Sequence, residues 1–174
     1  MRFRSPLLLA LDARVRLARR MGQRELTLEE FLMDTMVTAI EPEEVLIEVV
    51  IPPQALARAS RYVKFTPRSL EDYATVGVAC SVELDPDGIC RQARVAVGGA
   101  GPTAMRLTEA EAVLVGQQLT PQVCREAAAL AGQGVQPWDD LRGSAAYKRA
   151  MVRVWTERVL RALGQPPQTG GISA

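Results

Sequence analysis

The sequence predicts an α+β protein, with a small αββαβ block followed by a three-stranded antiparallel sheet and a three-helix bundle. Three observations carry this. Residues 73–97 hold two β-like runs joined by a turn, the first strictly alternating. Residues 108–163 hold three helical segments with their own start and stop signals. Between the blocks, Pro52 and Pro53 end a β-branched run, and small and polar residues follow. The chain has 174 residues, 48% hydrophobic and 24% charged, an ordinary balance for folded protein.

In chain order, "PLLLAL" (6–11) reads as the last turns of a helix, too short to be stable alone. "ARVRLARR" (13–20) alternates apolar and basic residues, as a strand with one solvated face does. Met21 and Gly22 make a turn, and "RELTL" (24–28) returns, giving a hairpin. Thr27 and Glu30 have capping-box spacing and predict a short helix over "LEEFLMDT" (28–35). In "EVLIEVVIPP" (44–53) the set Val45, Ile47, Val49, Ile51 is uniformly apolar, which predicts that this face is buried.

The second block opens with a strand over "SRYVKFTPR" (60–68). In "YATVGVACSVELD" (73–85), Val76, Val78, Cys80, Val82 and Leu84 alternate with Thr75, Gly77, Ala79, Ser81 and Glu83. The small residues of the second set predict another element packed close against them. "DPDG" (85–88) is a turn, and "ICRQARVAV" (89–97) the return strand. Thr108 and Glu111 suggest a second capping box, for a helix ended by Gly116. Thr120 is a good N-cap, with Pro121 at the first helical position and the helix running to Gly132. The last helix, 144–163, sets Tyr147, Met151, Val154, Trp155, Val159 and Ala162 on one stripe. Lys148, Arg149, Arg153, Glu157 and Arg161 fall mostly on the solvated side. Residues 165–174, rich in Pro and Gly, read as a disordered tail.

Composition removes several kinds of chemistry. Net charge is +1, so no global field draws nucleic acid or an anionic membrane. Aromatic residues are 5% of the chain, too few for a base-stacking platform. There is no histidine, which excludes Ser-His-Asp and Cys-His catalysis and every His-containing zinc site. Cys80, Cys90 and Cys124 lack CxxC spacing and read as reduced thiols. Cys80 sits on the apolar strand face, a core position. The apolar run Leu7 to Leu11 is too short for a signal peptide, and Asp12 ends it. No segment has the length of a membrane span, so the chain reads as soluble and cytoplasmic.

Three local motifs invite chemistry. Gly98-Gly99-Ala100-Gly101 follows a strand, as phosphate-binding loops do. The third fingerprint glycine is absent, Pro102 follows, and the helix starts several residues on. A sheet exit where backbone passes close to another element explains the glycines better. Asp139-Asp140 could ligate a metal, but adjacent carboxylates point apart and no third ligand is evident. Capping, or pairing with Arg142, is the simpler role. Arg68, Glu71 and Asp72 cluster before the best strand, either as plain surface or as a ligand contact at a sheet edge.

Taken together and in order, "LLALDARVRLARRMGQRELTLEEFL", "EPEEVLIEVVIP", "RYVKFTPRSLEDYATVGVACSVELDPDG", "RVAVGGAGPTAMRLTEAEAVLVG" and "DDLRGSAAYKRAMVRVWTERVL" resemble the FAD-binding medium subunit of molybdenum hydroxylases. That family includes carbon monoxide and xanthine dehydrogenases. "VAVGGAGPTAMR" and "DLRGSAAYKR" are the most specific pieces. The resemblance implies that residues 1–56 are the C-terminal remnant of an FAD-binding subdomain and 57–164 the flavoprotein's C-terminal domain. It implies an oxidoreductase component passing electrons through FAD, with a molybdopterin-containing large subunit and an iron–sulfur small subunit as partners, and it admits a homo-oligomer. The family's glycine-rich pyrophosphate loops lie upstream of "LLLALDARV". The resemblance therefore implies a truncated gene, a misplaced start codon or one half of a split subunit. By the family's "R..DYA.V" segment, Arg68, Asp72, Tyr73 and Thr75 are the expected contacts of the flavin ring. The resemblance points to no catalytic side chain and no metal ligand in this chain. The alternative is a non-catalytic subunit-interaction module or an inactive gene fragment.

Overall fold

The computed structural model describes residues 5–66 and 73–165. The expected tail falls outside these residues, apart from its first position. Helix α1 (Ser5–Ala10) leads through Asp12, in the left-handed region at φ 51°, into strand β1 (Arg14–Arg19). β1 pairs antiparallel with β2 (Gly22–Thr27) on one side and β5 (Val45–Val50) on the other. Val15 and Leu17 point inward and are fully buried. Arg14 and Arg16 point outward and form a charge ladder with Glu25 and Glu48, so the alternation predicted over 13–20 is present. Arg24 grips the Glu44 carboxylate through Nε and Nη2, both at 2.7 Å, and the Glu41 N–H donates to it at 2.8 Å. These donors hold the Glu44 carboxyl down to about 2.

The Thr27–Glu30 capping box is formed, with Glu30 N–H donating to Thr27 Oγ1 at 3.2 Å and Thr27 N–H to Glu30 Oε2 at 2.8 Å. The helix it starts is shorter than expected. α2 covers only Leu28–Phe31, and Leu32–Asp34 is strand β3, paired with β4 (Val37–Thr38). Leu28 and Phe31 find the core, whereas Met33 and Met36 face solvent, and the chain reverses at Met36 with φ 63°. A second correction concerns β5. Its pairing with β1 slips between Arg16 and Leu17, so Ile47 is an extra, bulged residue. The slip breaks the alternation. Val45 and Ile47 are 64% and 50% exposed, while Leu46 and Val49 pack on the core.

After a short helix α3 (Pro53–Leu56), strands β6 (Ala59–Phe65), β7 (Val76–Leu84), β8 (Cys90–Gly98) and β9 (Met105–Arg106) form one antiparallel sheet in that order. β9 is a fourth strand beyond the three expected, two residues long, and it pairs Arg106 with Ala96. Val76, Val78, Cys80 and Val82 face helices α4 (Thr108–Leu114), α5 (Pro121–Gln133) and α6 (Ala145–Leu163) in the main core. On the other face, Ala79 and Ala96 lie against Leu9 and Ala10 of α1, the close packing that the small residues predicted. Asp12 fastens this layer. Its carboxylate meets Arg58 at 2.9 Å and Arg94 at 2.7 Å.

Two helix predictions need correction. α4 has Leu107 at its N-cap and no side-chain cap bond. Glu111 instead accepts from Val95 N–H and from Arg106 Nε, each at 3.0 Å. On α6 the buried side chains are Lys148, Val152, Thr156, Val159 and Leu160, so the inward stripe is rotated from the one expected. Lys148 is turned in by partners described below. The Thr120 cap of α5 is present. All three cysteines are buried and unpaired. Burial pushes the Cys80 thiol up, and that of Cys90 up to about 11, which suits core positions and not reactive ones. Among the described residues no helix is long and apolar enough to cross a membrane.

Candidate functional site

A cavity of about 570 Å³ opens where the layers meet, bordered by α1, the β3–β4 hairpin, the entry to β7, the exit of β8 and the α5–α6 connection. Its floor is the paired glycines of β7 and β8 with Tyr62 and Pro6 packed onto them. Gly77 and Gly98 sit directly opposite each other on β7 and β8. A Cβ on Gly77 would approach the Tyr62 hydroxyl to 3.0 Å, and one on Gly98 would meet Pro6 Cγ at 2.8 Å. Gly99 follows with φ +77°, and a Cβ there would press on the Thr75 carbonyl at 2.9 Å. Gly98 and Gly99 therefore do serve as a close-packed sheet exit. The sequence reading missed that this exit also walls a cavity.

The entry to β7 forms one side. Thr75 N–H donates to Phe65 O at 2.9 Å, which carries the β6–β7 pairing on past Val76. Thr75 is buried, and its hydroxyl donates to Arg142 O at 3.2 Å. Tyr73 is more than half exposed, with the Arg142 guanidinium 5.0 Å from its ring centroid. Of the expected ring-side residues, Tyr73 and Thr75 thus border one cavity. Arg68 and Asp72 lie outside the described residues.

The α5–α6 connection forms the next wall, held by two carboxylates that diverge. Asp139 accepts from Ala145 N–H at 2.6 Å and caps α6. Asp140 accepts from Arg142 N–H at 2.8 Å and pairs with Lys148 Nζ at 2.8 Å. Lys148 also donates to Trp138 O at 2.9 Å. Burial opposes the charge on Asp140, but the Lys148 and Arg142 hydrogen bonds and charges outweigh it and keep the carboxyl below its ordinary range. These are the capping and pairing roles expected from the sequence. Among the described residues no group of three or more acidic or cysteine side chains could hold a metal. Trp138 and Lys148 were missed as site residues. Lys148 reads as a solvated helix cation until Asp140 is known to be near. The far wall is the β3–β4 hairpin, tied to the β8–β9 loop by Thr35 Oγ1 donating to Pro102 O at 3.2 Å.

The cavity is lined by apolar and backbone surface with a few fixed polar groups, and its size falls in the range of small-molecule sites. Residues 61–163 match the family model of the CO dehydrogenase flavoprotein C-terminal domain. The chain belongs to that flavoprotein family. Residues 4–54 match the FAD binding domain in molybdopterin dehydrogenase. A relative, the 6-hydroxypseudooxynicotine dehydrogenase complex subunit alpha of Paenarthrobacter nicotinovorans, is 38% identical over 88% of this chain and 51% of its own length. The carbon monoxide dehydrogenase medium chain of Hydrogenophaga pseudoflava is 32% identical over 81% of this chain and 48% of its own. The solved carbon monoxide dehydrogenase of that organism superposes with a TM-score of 0.85 at 33% identity, covering 91% of this chain and 55% of the other. Quinoline 2-oxidoreductase from Pseudomonas putida 86 gives 0.82 at 28% identity, covering 92% and 55%. This flavoprotein chain spans about half the length of the curated relatives it matches.

Proposed function

We propose that this chain supplies the ring side of an FAD site in the electron-transfer subunit of a molybdenum-hydroxylase-type oxidoreductase. The observation that carries the proposal is the cavity whose border joins Tyr73 and Thr75 to the Gly77–Gly98 pair and the Tyr62 and Pro6 side chains packed on it. Bound flavin would supply the capacity to take and give electrons singly or in pairs. The chain's own residues bind and orient. Gly77 and Gly98 let Tyr62 and Pro6 pack onto the sheet, and a ring in the cavity would lie against those two side chains. Tyr73 offers an aromatic face at the mouth. Lys148 and Arg142 fix the wall through their shared partner Asp140.

In this proposal residues 1–56 are the end of an FAD-binding subdomain and 57–164 the C-terminal domain. Arg68 and Asp72 join Tyr73 and Thr75 at the ring. A molybdopterin-containing large subunit and an iron–sulfur small subunit are the partners, in an assembly where a second copy of this chain can take part. A cytoplasmic setting is supported by three cysteines that are all unpaired. The second reading is a non-catalytic interaction module.

The test is flavin retention. The full chain is mixed with excess FAD or with riboflavin, free ligand is removed, and the visible spectrum is recorded. The ring-side proposal expects both to be retained, and Tyr73→Ala, at an exposed position on the cavity border, to weaken retention of both while keeping its circular dichroism. A folded chain that retains neither supports the interaction module.

A further inference from the structure

The chain has two tryptophans, three tyrosines and three phenylalanines. Four of them, Phe31, Tyr62, Tyr73 and Trp138, border the cavity described above. Phe31 belongs to the core, and Tyr62 packs on Gly77. Tyr73 and Trp138 instead stand 56% and 50% exposed on two separate walls, the entry to β7 and the α5–α6 connection. An indole has a large apolar face, and most tryptophans bury it. Trp155, the other tryptophan, does so against Phe65, with ring centroids 5.5 Å apart, and does not border the cavity. The backbone beneath Trp138 is held from several sides. Val135 and Pro137 are buried just before it. Asp139 accepts from Ala145 N–H at 2.6 Å, and Asp140 and Gly143 exchange backbone bonds of 3.2 and 3.1 Å. The Trp138 carbonyl itself accepts from Lys148 Nζ at 2.9 Å, and the same ammonium lies 6.0 Å from the indole centroid. One buried cation thus holds both the main chain and the ring of Trp138. An exposed aromatic side chain on fixed backbone loses little entropy when a ligand packs on it.

We propose that Trp138 is a contact residue for a planar heteroaromatic ring bound in the cavity, and that Lys148 is its positioning residue. The indole face takes the ring in an offset stack, the arrangement that aromatic quadrupoles favour. Lys148 touches no ligand. It acts by fixing the carbonyl and the ring of Trp138, so that the face is already in place when the ligand arrives. The identity of the bound ring as a flavin rests on the ring-side reading above, whereas the stacking role of Trp138 needs only that the ring is flat and aromatic.

The experiment uses the full chain carrying Trp155→Phe, which leaves Trp138 as the sole tryptophan. Should that variant not fold by circular dichroism, the difference spectrum between wild type and Trp138→Phe supplies the same reporter. The probes are riboflavin and acridine, a flat tricyclic ring that is not a flavin, and equilibrium dialysis reads binding independently of emission. The expected result is Trp138 emission quenched in step with riboflavin binding. Trp138→Ala should bind about three- to tenfold more weakly, and Trp138→Phe less than about threefold more weakly. Before any ligand is added, Lys148→Met should lower the anisotropy of Trp138 emission in a chain that remains folded. Unchanged anisotropy overturns the positioning role of Lys148. Riboflavin that binds without changing Trp138 emission, or equally well to Trp138→Ala, overturns the contact role and leaves the ring-side reading standing. Acridine that quenches Trp138 where riboflavin does not bind removes the flavin reading and keeps this one. A folded chain that binds neither probe removes both.

Discussion

Lys148→Met tests the wall of the cavity directly. The Lys148 side chain is 3% exposed and binds Asp140 at 2.8 Å and Trp138 O at 2.9 Å. Removing one partner of a buried ion pair costs about 3–5 kcal/mol when the other is left alone. Asp140 is not left alone. Its side chain is 26% exposed, and it keeps the Arg142 N–H at 2.8 Å and the Arg142 guanidinium at 3.4 Å. Methionine also refills the space of the lysine stem. The expected loss is therefore about 2 kcal/mol, or about 4–8 °C in Tm for a chain of this size. Urea unfolding followed by circular dichroism measures it. Asp140→Asn and the double variant close a cycle, with an expected coupling of about 1–2 kcal/mol. A Lys148→Met protein within about 0.5 kcal/mol of wild type, or an additive cycle, would refute the assignment of Lys148 as the brace of this wall.

Other perturbations have equally definite outcomes. Gly99→Ala and Gly88→Ala both place a side chain at φ +77°, but only the first drives Cβ onto backbone, 2.9 Å from Thr75 O. Thermal unfolding should show Gly99→Ala costing at least about 2 kcal/mol and Gly88→Ala about 1. Glu111→Ala strands Val95 N–H and one side of Arg106, for an expected loss of about 3 kcal/mol by chemical denaturation. Glu111→Gln keeps an acceptor and should lose roughly half as much. Glu44 has a folded pKa of about 2, below its unfolded value of 4.5. Its contribution is thus complete above pH 4.5 and disappears as pH falls toward 2. Glu44→Gln should flatten the acid limb of the stability curve in that window, as measured by urea midpoints across pH.

The same sequence signal succeeded in one place and misled in another, for physical reasons. Thr27–Glu30 and Thr108–Glu111 have identical spacing. The first closes as a capping box at an exposed helix start, where Glu30 accepts from the Thr27 N–H and hydroxyl. At the second, β9 delivers Arg106 and β8 delivers Val95 N–H to Glu111, and both are invisible in a local window. The face of β5 was misjudged because one bulged residue, Ile47, reverses the alternation. The stripe on α6 was misjudged because Lys148 is pulled inward by Asp140 and Trp138 across a loop. Strands β7 and β8 were legible because burial on both faces left clear chemistry in the alternation, large toward the helices and small toward α1. Of the site, Tyr73 and Thr75 were legible only through the family resemblance. The part that Gly77, Trp138 and Lys148 play there needed three dimensions.

The Asp12 clamp fixes an order of events during synthesis. Asp12 and Arg94 are 82 residues apart in the chain, and the cover that α1 provides needs Ala79 and Ala96 in place. At about 5–20 residues per second, the ribosome delivers Arg94 about 4–16 s after Asp12. For that interval Leu9 and Ala10 have no partner surface on β7 and β8. The α1 segment must therefore wait for β7 and β8 with only Val15, Leu17, Leu28 and Phe31 of its own cluster beside it, and a chaperone that shields short apolar segments near the tunnel exit has a defined window in which to act.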